Sequence, residues 1–139
     1  MMVLDTSIIV DLLRDKTGRS ARDLEAFLGG GEFLLSRISQ FELLRGCRDE
    51  RHWSELNSYL EVQNYIECDA ASWVAASRTF YELRKSGRTL RSSFDCCIAQ
   101  AALDRNLTLV HNDDDFEAIA EIRPLRQTRL DLKHAKGKR

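Results

Sequence analysis

Short apolar runs recur along the chain just ahead of longer stretches in which apolar residues return every three or four positions. This is the alternation of a parallel sheet wrapped by helices. Met2-Val3-Leu4 reads as a first buried strand, and Ile8, Ile9, Leu12 and Leu13 follow on one helical face. A second helix is predicted over residues 21–28, ended by Gly29-Gly30-Gly31, and Glu32-Phe33-Leu34-Leu35 supplies the second strand. The triple glycine reads as a turn, because it has neither glycine pattern that cradles phosphate and follows a helix, where a glycine stop is common. Residues 39–45 form a short helix stopped by Gly46, and residues 50–60 form another with Trp53, Leu56 and Leu60 on one face.

Tyr65-Ile66-Glu67-Cys68 reads as a third strand, and residues 70–85 as a long helix carrying Trp73, Val74, Phe80 and Leu83, whose aromatics are expected in the core. After a polar loop, Ser92 or Ser93 can cap a helix through Phe94, Ile98, Ala101 and Leu103. Leu107-Thr108-Leu109-Val110 is the fourth strand, and a short helix through Phe116 and Ile119 follows it. Ile122-Arg123-Pro124-Leu125 is placed at a sheet edge, since proline has no amide hydrogen for a central ladder. The predicted order is β-α-α-β-α-α-β-α-α-β-α-β.

A chain of 139 residues, 43% of them hydrophobic, can build one core. One domain is expected over 1–130, with a basic, flexible tail over 131–139. The 21 Lys and Arg nearly balance 22 Asp and Glu, so any attraction for nucleic acid must come from local groups. No basic leader, signal-like segment or membrane-length apolar stretch is evident, and a cytoplasmic protein without membrane contact is expected. The four cysteines show no metal-ligand spacing and read as reduced thiols.

Three acids lie close behind strands: Asp5 directly after the first, Glu42 one turn into the helix after the second, and Asp113 beyond the fourth. Ligand sites in open parallel sheets form at the carboxyl ends of strands, where separate loops converge. Carboxylates gathered there repel one another unless a cation neutralises them, and magnesium prefers such hard oxygen ligands. Each acid also has a purely structural reading. Asp5 can cap the first helix, Ser39 and Glu42 match a Ser-x-x-Glu capping box, and Asp95 lies in a first helical turn where the dipole favours negative charge.

The local sequences around these acids resemble PIN-domain ribonucleases, and within them VapC-like toxins of prokaryotic toxin–antitoxin pairs. The resemblance runs from Val3 to about Leu125 and rests on four fragments in order. They are Val3-Leu4-Asp5-Thr6-Ser7, Ser39-Gln40-Phe41-Glu42-Leu43-Leu44-Arg45-Gly46, Asp95-Cys96-Cys97-Ile98-Ala99-Gln100-Ala101-Ala102 and Val110-His111-Asn112-Asp113-Asp114-Asp115-Phe116. Two departures stand out: His111 occupies a position where the family often has Thr, and Asp114 adds an acid between the expected pair.

The resemblance implies a three-layer α/β/α sandwich around a mainly parallel sheet of about four to five strands. It implies Mg2+, or Mn2+ as a substitute, held by Asp5, Glu42, Asp95 and Asp113, with Asp115 as an auxiliary ligand or supporting group. Thr6 or Ser7 would orient Asp5 or a water on the metal. Metal-activated water would then cut RNA to leave a 5′-phosphate and a 3′-hydroxyl. A homodimer and a cognate antitoxin covering the acidic groove are implied as partners, to be sought around Phe41, Leu44 and Leu56.

Because an acidic pocket repels RNA, cations must hold the phosphates on either side of the cut. Arg84, Lys85, Arg88 and Arg91 are the nearest supply before Asp95, and Arg45, Arg48 and Arg51 form a second set near Glu42. His52, His111 and His134 have no nucleophile context and read as structural or surface groups. Two rival functions remain. An aspartate-based phosphotransfer enzyme also places Asp after its first strand, but the further Asp or Lys that such enzymes expect is missing here. A catalytically silent PIN scaffold would bind a partner without turnover.

Overall fold

The computed structural model describes residues 1–132. Its elements are β1 (Met2–Leu4), α1 (Thr6–Arg14), α2 (Arg19–Leu28), β2 (Phe33–Ser36), α3 (Arg37–Arg45) and α4 (Glu50–Glu61), followed by β3 (Tyr65–Ile66), α5 (Ala70–Lys85), α6 (Phe94–Asp104), β4 (Thr108–His111), α7 (Asp114–Ala120) and β5 (Gln127–Arg129). The strands form one parallel sheet in the order β3-β2-β1-β4-β5. From β1 the chain builds outward through β2 and β3, then crosses back to add β4 and β5 on the other side. The carboxyl ends of β1 and β4 therefore flank the point where strand order reverses.

Alternation along β1 divides the core into two layers. Val3 packs with Leu109, Ile98, Phe116 and Ile119 on the face covered by α5, α6 and α7. Leu4 packs with Leu35, Ile8, Ile9, Leu24 and Leu60 on the face covered by α1, α2 and α4. Both side chains are fully buried, as expected of a sheet covered on both faces. The result is the three-layer sandwich. Among the described residues, no helix is long and apolar enough to cross a membrane.

Three details differ from expectation. The fifth strand does not use Ile122 to Leu125. Pro124 has no amide hydrogen and the Leu125 N–H turns back to the Arg123 carbonyl at 2.7 Å, so pairing with β4 begins only when Leu109 donates to the Arg126 carbonyl at 2.9 Å. In α5, Trp73 is 44% exposed rather than core, and Val74 beside it is 71% exposed. The helix instead buries Ser72, Ala76, Thr79 and Leu83, a largely small-residue stripe that packs closely on the alanine- and cysteine-rich α6. Trp53 is likewise 43% exposed, although Leu56 and Leu60 beside it on α4 are buried. At the carboxyl end, Leu132 is fully buried with Leu4 and Val110, so packed chain continues past the expected boundary at 130. The rest of the predicted tail, 133–139, lies outside the described residues.

Candidate functional site

A cleft of about 550 Å³ opens at the carboxyl ends of β1 and β4, lined by Asp5, Glu42, Asp95 and Asp113 with Thr6, Ser7, Asp11, Asn112 and three arginines. Four chain segments that are distant in sequence thus converge at the point of strand reversal, where the topology opens a crevice.

Asp5 follows β1 without a spacer, and its N–H donates to the Val110 carbonyl at 2.9 Å, which ties it to β4. It caps α1: Oδ2 accepts from the Ser7 N–H at 3.0 Å and from the Ser7 hydroxyl at 2.6 Å. The Ser7 oxygen in turn accepts from the Asn112 N–H at 3.0 Å, so one hydroxyl joins the loops after β1 and β4. The other oxygen of Asp5, Oδ1, is buried without a hydrogen-bond partner. Burial raises the pKa of this carboxyl, and the Ser7 bonds only partly oppose that rise.

Glu42 reaches the cleft from α3. The true cap of that helix is Ser36, whose hydroxyl accepts from the Ile38 N–H at 3.0 Å, because β2 runs straight into the helix. The Ser39–Glu42 capping-box reading is therefore wrong: Ser39 is fully buried at the third position of the helix, beyond the cap. The Thr6 hydroxyl lies 2.7 Å from both Glu42 Oε1 and Ser39 Oγ. Of the two hydroxyl residues after Asp5, Ser7 holds Asp5 and Thr6 holds Glu42.

Asp95 lies in the first turn of α6, 6% exposed, with Oδ2 buried and unpartnered. Its pKa is pushed up to about 9, first by burial, then by a hydrogen bond with Asp115 and the charges of Asp5, Asp113 and Asp115. The helix dipole cannot offset that much lost hydration. Asp113 caps α7, with Oδ1 accepting from the Asp115 N–H at 3.0 Å, while Oδ2 lies 3.4 Å from the Arg91 guanidinium. Asp115 is held by the loop before α6: its Oδ2 accepts from the N–H groups of Arg91 at 2.9 Å and Ser92 at 3.3 Å. Among the described residues, Asp95, Asp113 and Asp115 bring carboxylate oxygens within 4.8 Å of one another.

The capping and ligand readings are thus compatible. Asp5 uses one oxygen to cap a helix and leaves the other in the cleft wall. Two of the three orphaned buried side-chain polar atoms among the described residues are carboxylate oxygens of this one site. A buried carboxylate without a hydrogen-bond donor is costly, and a hard divalent cation is the partner that this all-oxygen set fits.

The cations are arranged differently from expectation. Of Arg84, Lys85, Arg88 and Arg91, only Arg91 lines the cleft. Arg84 and Lys85 lie over the rings of Phe80 and Tyr81, and Arg88 pairs with Glu121 at 2.7 Å. The other two arginines at the cleft are Arg45, from the second candidate set, and Arg14, which sequence reasoning missed. Helical spacing would have found it, since Ser7, Asp11 and Arg14 recur on one face of α1.

The PIN domain family model matches residues 2–122. Ribonuclease VapC11 of Mycobacterium tuberculosis is 28% identical over 125 residues, covering 88% of this chain and 93% of the relative. VapC ribonuclease Mb1587 of Mycobacterium bovis matches to the same extent, 28% over 125 residues. Among solved structures, VapBC2 from Rickettsia felis bound to a promoter DNA fragment aligns with a TM-score of 0.75 at 24% identity, covering 94% of this chain and all of that one. DNA-bound VapBC from Salmonella typhimurium aligns at 0.72 with 20% identity, over 93% of this chain and 98% of that one. With its strand order, its carboxylate cleft and a family match spanning most of its length, the chain belongs to the PIN-domain family.

Proposed function

We propose that the protein is a divalent-metal-dependent endoribonuclease that acts as the toxin of a toxin–antitoxin pair. The observation that carries this reading is the pair of buried, unpartnered oxygens, Asp5 Oδ1 and Asp95 Oδ2, in the wall of one acidic cleft. Relatives named as VapC ribonucleases and structural neighbours described as VapBC complexes support the same class.

Asp5, Glu42, Asp95 and Asp113 would hold Mg2+, or Mn2+ in its place. Asp115 would support them, since loop amides already occupy its Oδ2. When bound, the ion supplies a water of lowered pKa and positive charge to offset charge on the phosphodiester. The chain's own groups do the orienting: Ser7 fixes Asp5, Thr6 fixes Glu42, and the Arg91 and Ser92 amides fix Asp115. Arg91, Arg14 and Arg45 at the cleft would take the phosphates flanking the cut, while Arg84, Lys85 and Arg88 lie outside it. The products would carry a 5′-phosphate and a 3′-hydroxyl, and the place of action would be the cytoplasm.

A cognate antitoxin would silence the enzyme by covering the acidic groove. A homodimer belongs to the same reading. Phe41, 65% exposed, is the surface at which to seek either contact, whereas Leu56 is buried in the core.

The test is cleavage of a broad RNA panel with Mg2+ or Mn2+, followed by sequencing of the RNA ends. Wild type is expected to cut, and chelator or Asp95→Asn to abolish cutting. Equal cleavage by a folded Asp95→Asn protein would remove the proposed site. A wild type that binds antitoxin but cuts nothing would leave only a binding scaffold.

A further inference from the structure

His111 is the one histidine among the described residues that is fully buried, and nothing in the proposed chemistry uses it. It ends β4, two residues before Asp113. Its Nδ1 accepts from the Asp113 N–H at 3.1 Å, and its Nε2 lies 2.6 Å from Oε1 of Gln127 on β5. The ring packs against Phe116 of α7 at 5.1 Å between centroids. The His111 carbonyl accepts from the Leu130 N–H at 2.8 Å, so backbone and side chain both bind this turn to the edge of the sheet.

These contacts determine where the ring hydrogen sits. A backbone amide can only donate, so Nδ1 must present a lone pair to Asp113. The neutral ring then carries its hydrogen on Nε2, which donates it to the Gln127 side-chain oxygen. The Asp113 amide therefore sets the tautomer, and the Gln127 side-chain oxygen meets the hydrogen that this leaves on Nε2.

We propose that His111 is a positioning residue for the acidic centre: held from behind by Gln127, its ring anchors the Asp113 backbone so that the carboxylate stands between α7 and the cleft. The inference rests on the metal-centre reading and deepens it. Asp113 is held at both ends, by His111 at its amide and by the Asp115 amide at Oδ1, which leaves Oδ2 toward Arg91. Groups that orient metal ligands from behind usually matter about 10–100-fold in metal affinity.

The experiment combines 15N NMR of the imidazole at neutral pH with Mn2+ titration calorimetry on the full chain and RNA cleavage kinetics. The wild-type ring is expected to show hydrogen on Nε2 and none on Nδ1. His111→Phe, which keeps a packed ring but offers no acceptor, should weaken Mn2+ about tenfold and lower kcat with little change in KM. His111→Asn, whose side-chain oxygen can take the Asp113 N–H, should recover most of that loss. Gln127→Leu leaves His111 in place and serves if His111→Phe does not fold. It removes the hydrogen bond behind the ring, so the ring should be held less firmly and Mn2+ should weaken, by less than in His111→Phe. Hydrogen on Nδ1 in wild type, or unchanged Mn2+ affinity in a folded His111→Phe or Gln127→Leu protein, would overturn the inference. If wild type binds no Mn2+, the centre itself fails and the inference with it; an Nε2 tautomer would then mark His111 as a structural group only.

Discussion

The two ends of α1 carry aspartates with nearly the same local hydrogen bonds and opposite electrostatics. At the amino end, Asp5 accepts from the Ser7 amide and hydroxyl two residues on, at 3.0 and 2.6 Å. At the carboxyl end, Asp15 accepts from the Thr17 amide and hydroxyl at 2.9 and 2.6 Å, and also from the Ser20 amide at 2.7 Å. Asp15 lies at the surface, and its bonds to Thr17 and Ser20 hold its carboxyl far below the ordinary range. Asp5 is buried among other acids, and lost hydration lifts its carboxyl despite the same kind of donors. A side chain that merely caps a helix is stabilised as an anion by water and amides. One that also faces a buried acidic cleft needs a proton or a cation.

RNA cleavage should separate the two aspartates most. Asp5→Asn should reduce RNA cleavage by about a thousandfold or more, the several kcal/mol that a metal centre supplies. Asp15→Asn should leave cleavage unchanged in the same assay. Comparable losses in both variants, with folding verified by circular dichroism, would show that helix capping alone links Asp5 to function.

A smaller effect should appear in stability against pH. Asp95 rises from 3.8 to about 9 in the folded chain, so the folded state binds more protons than the unfolded state between those values. Its contribution is complete below the unfolded pKa and is lost as pH rises through the folded one. Asp5 acts in the same direction, and Asp15 in the opposite one, adding stability above its ordinary value that disappears in acid. The melting temperature of metal-free protein should therefore fall between pH 5 and 9. Either Asp95→Asn or saturating Mn2+ should flatten that slope, while Asp15→Asn should not. Thermal scans in chelator check this.

The smallest effects concern the arginines. Arg91→Ala should raise KM for RNA several-fold and reduce the salt slope of RNA binding by about 0.7, the loss of one contact to single-stranded phosphate. Arg88→Ala removes only an exposed pair with Glu121, for which about 1 kcal/mol or less is expected, and should leave cleavage unchanged. Equal KM effects would return RNA binding to the whole cationic set.

Much of this protein was legible from its sequence because the relevant forces are local or periodic. Alternation of short apolar runs with amphipathic stretches matches the order of the twelve elements, with the last strand set a few residues too early, at Ile122 to Leu125 instead of Gln127–Arg129. Position behind strands, together with the family fragments, singled out Asp5, Glu42, Asp95 and Asp113, and all four line one cleft. Errors arose where a nonlocal partner overrode the local signal. Ser39 matches a capping pattern but faces Thr6, and Trp73 matches a core pattern but lies outside the small-residue contact with α6.

By itself, then, the sequence determined the element order, the division into strand and helix, and which acids follow the strands. Only the tertiary structure decided which oxygen of Asp5 and Asp95 is left without a donor, which arginines reach the cleft, and how His111 meets Asp113. Periodicity and capping are written within a few residues of chain, whereas hydration and charge depend on what segments up to a hundred residues apart bring against one another. For Asp5 that segment ends at Asn112, whose amide holds the serine that holds the aspartate.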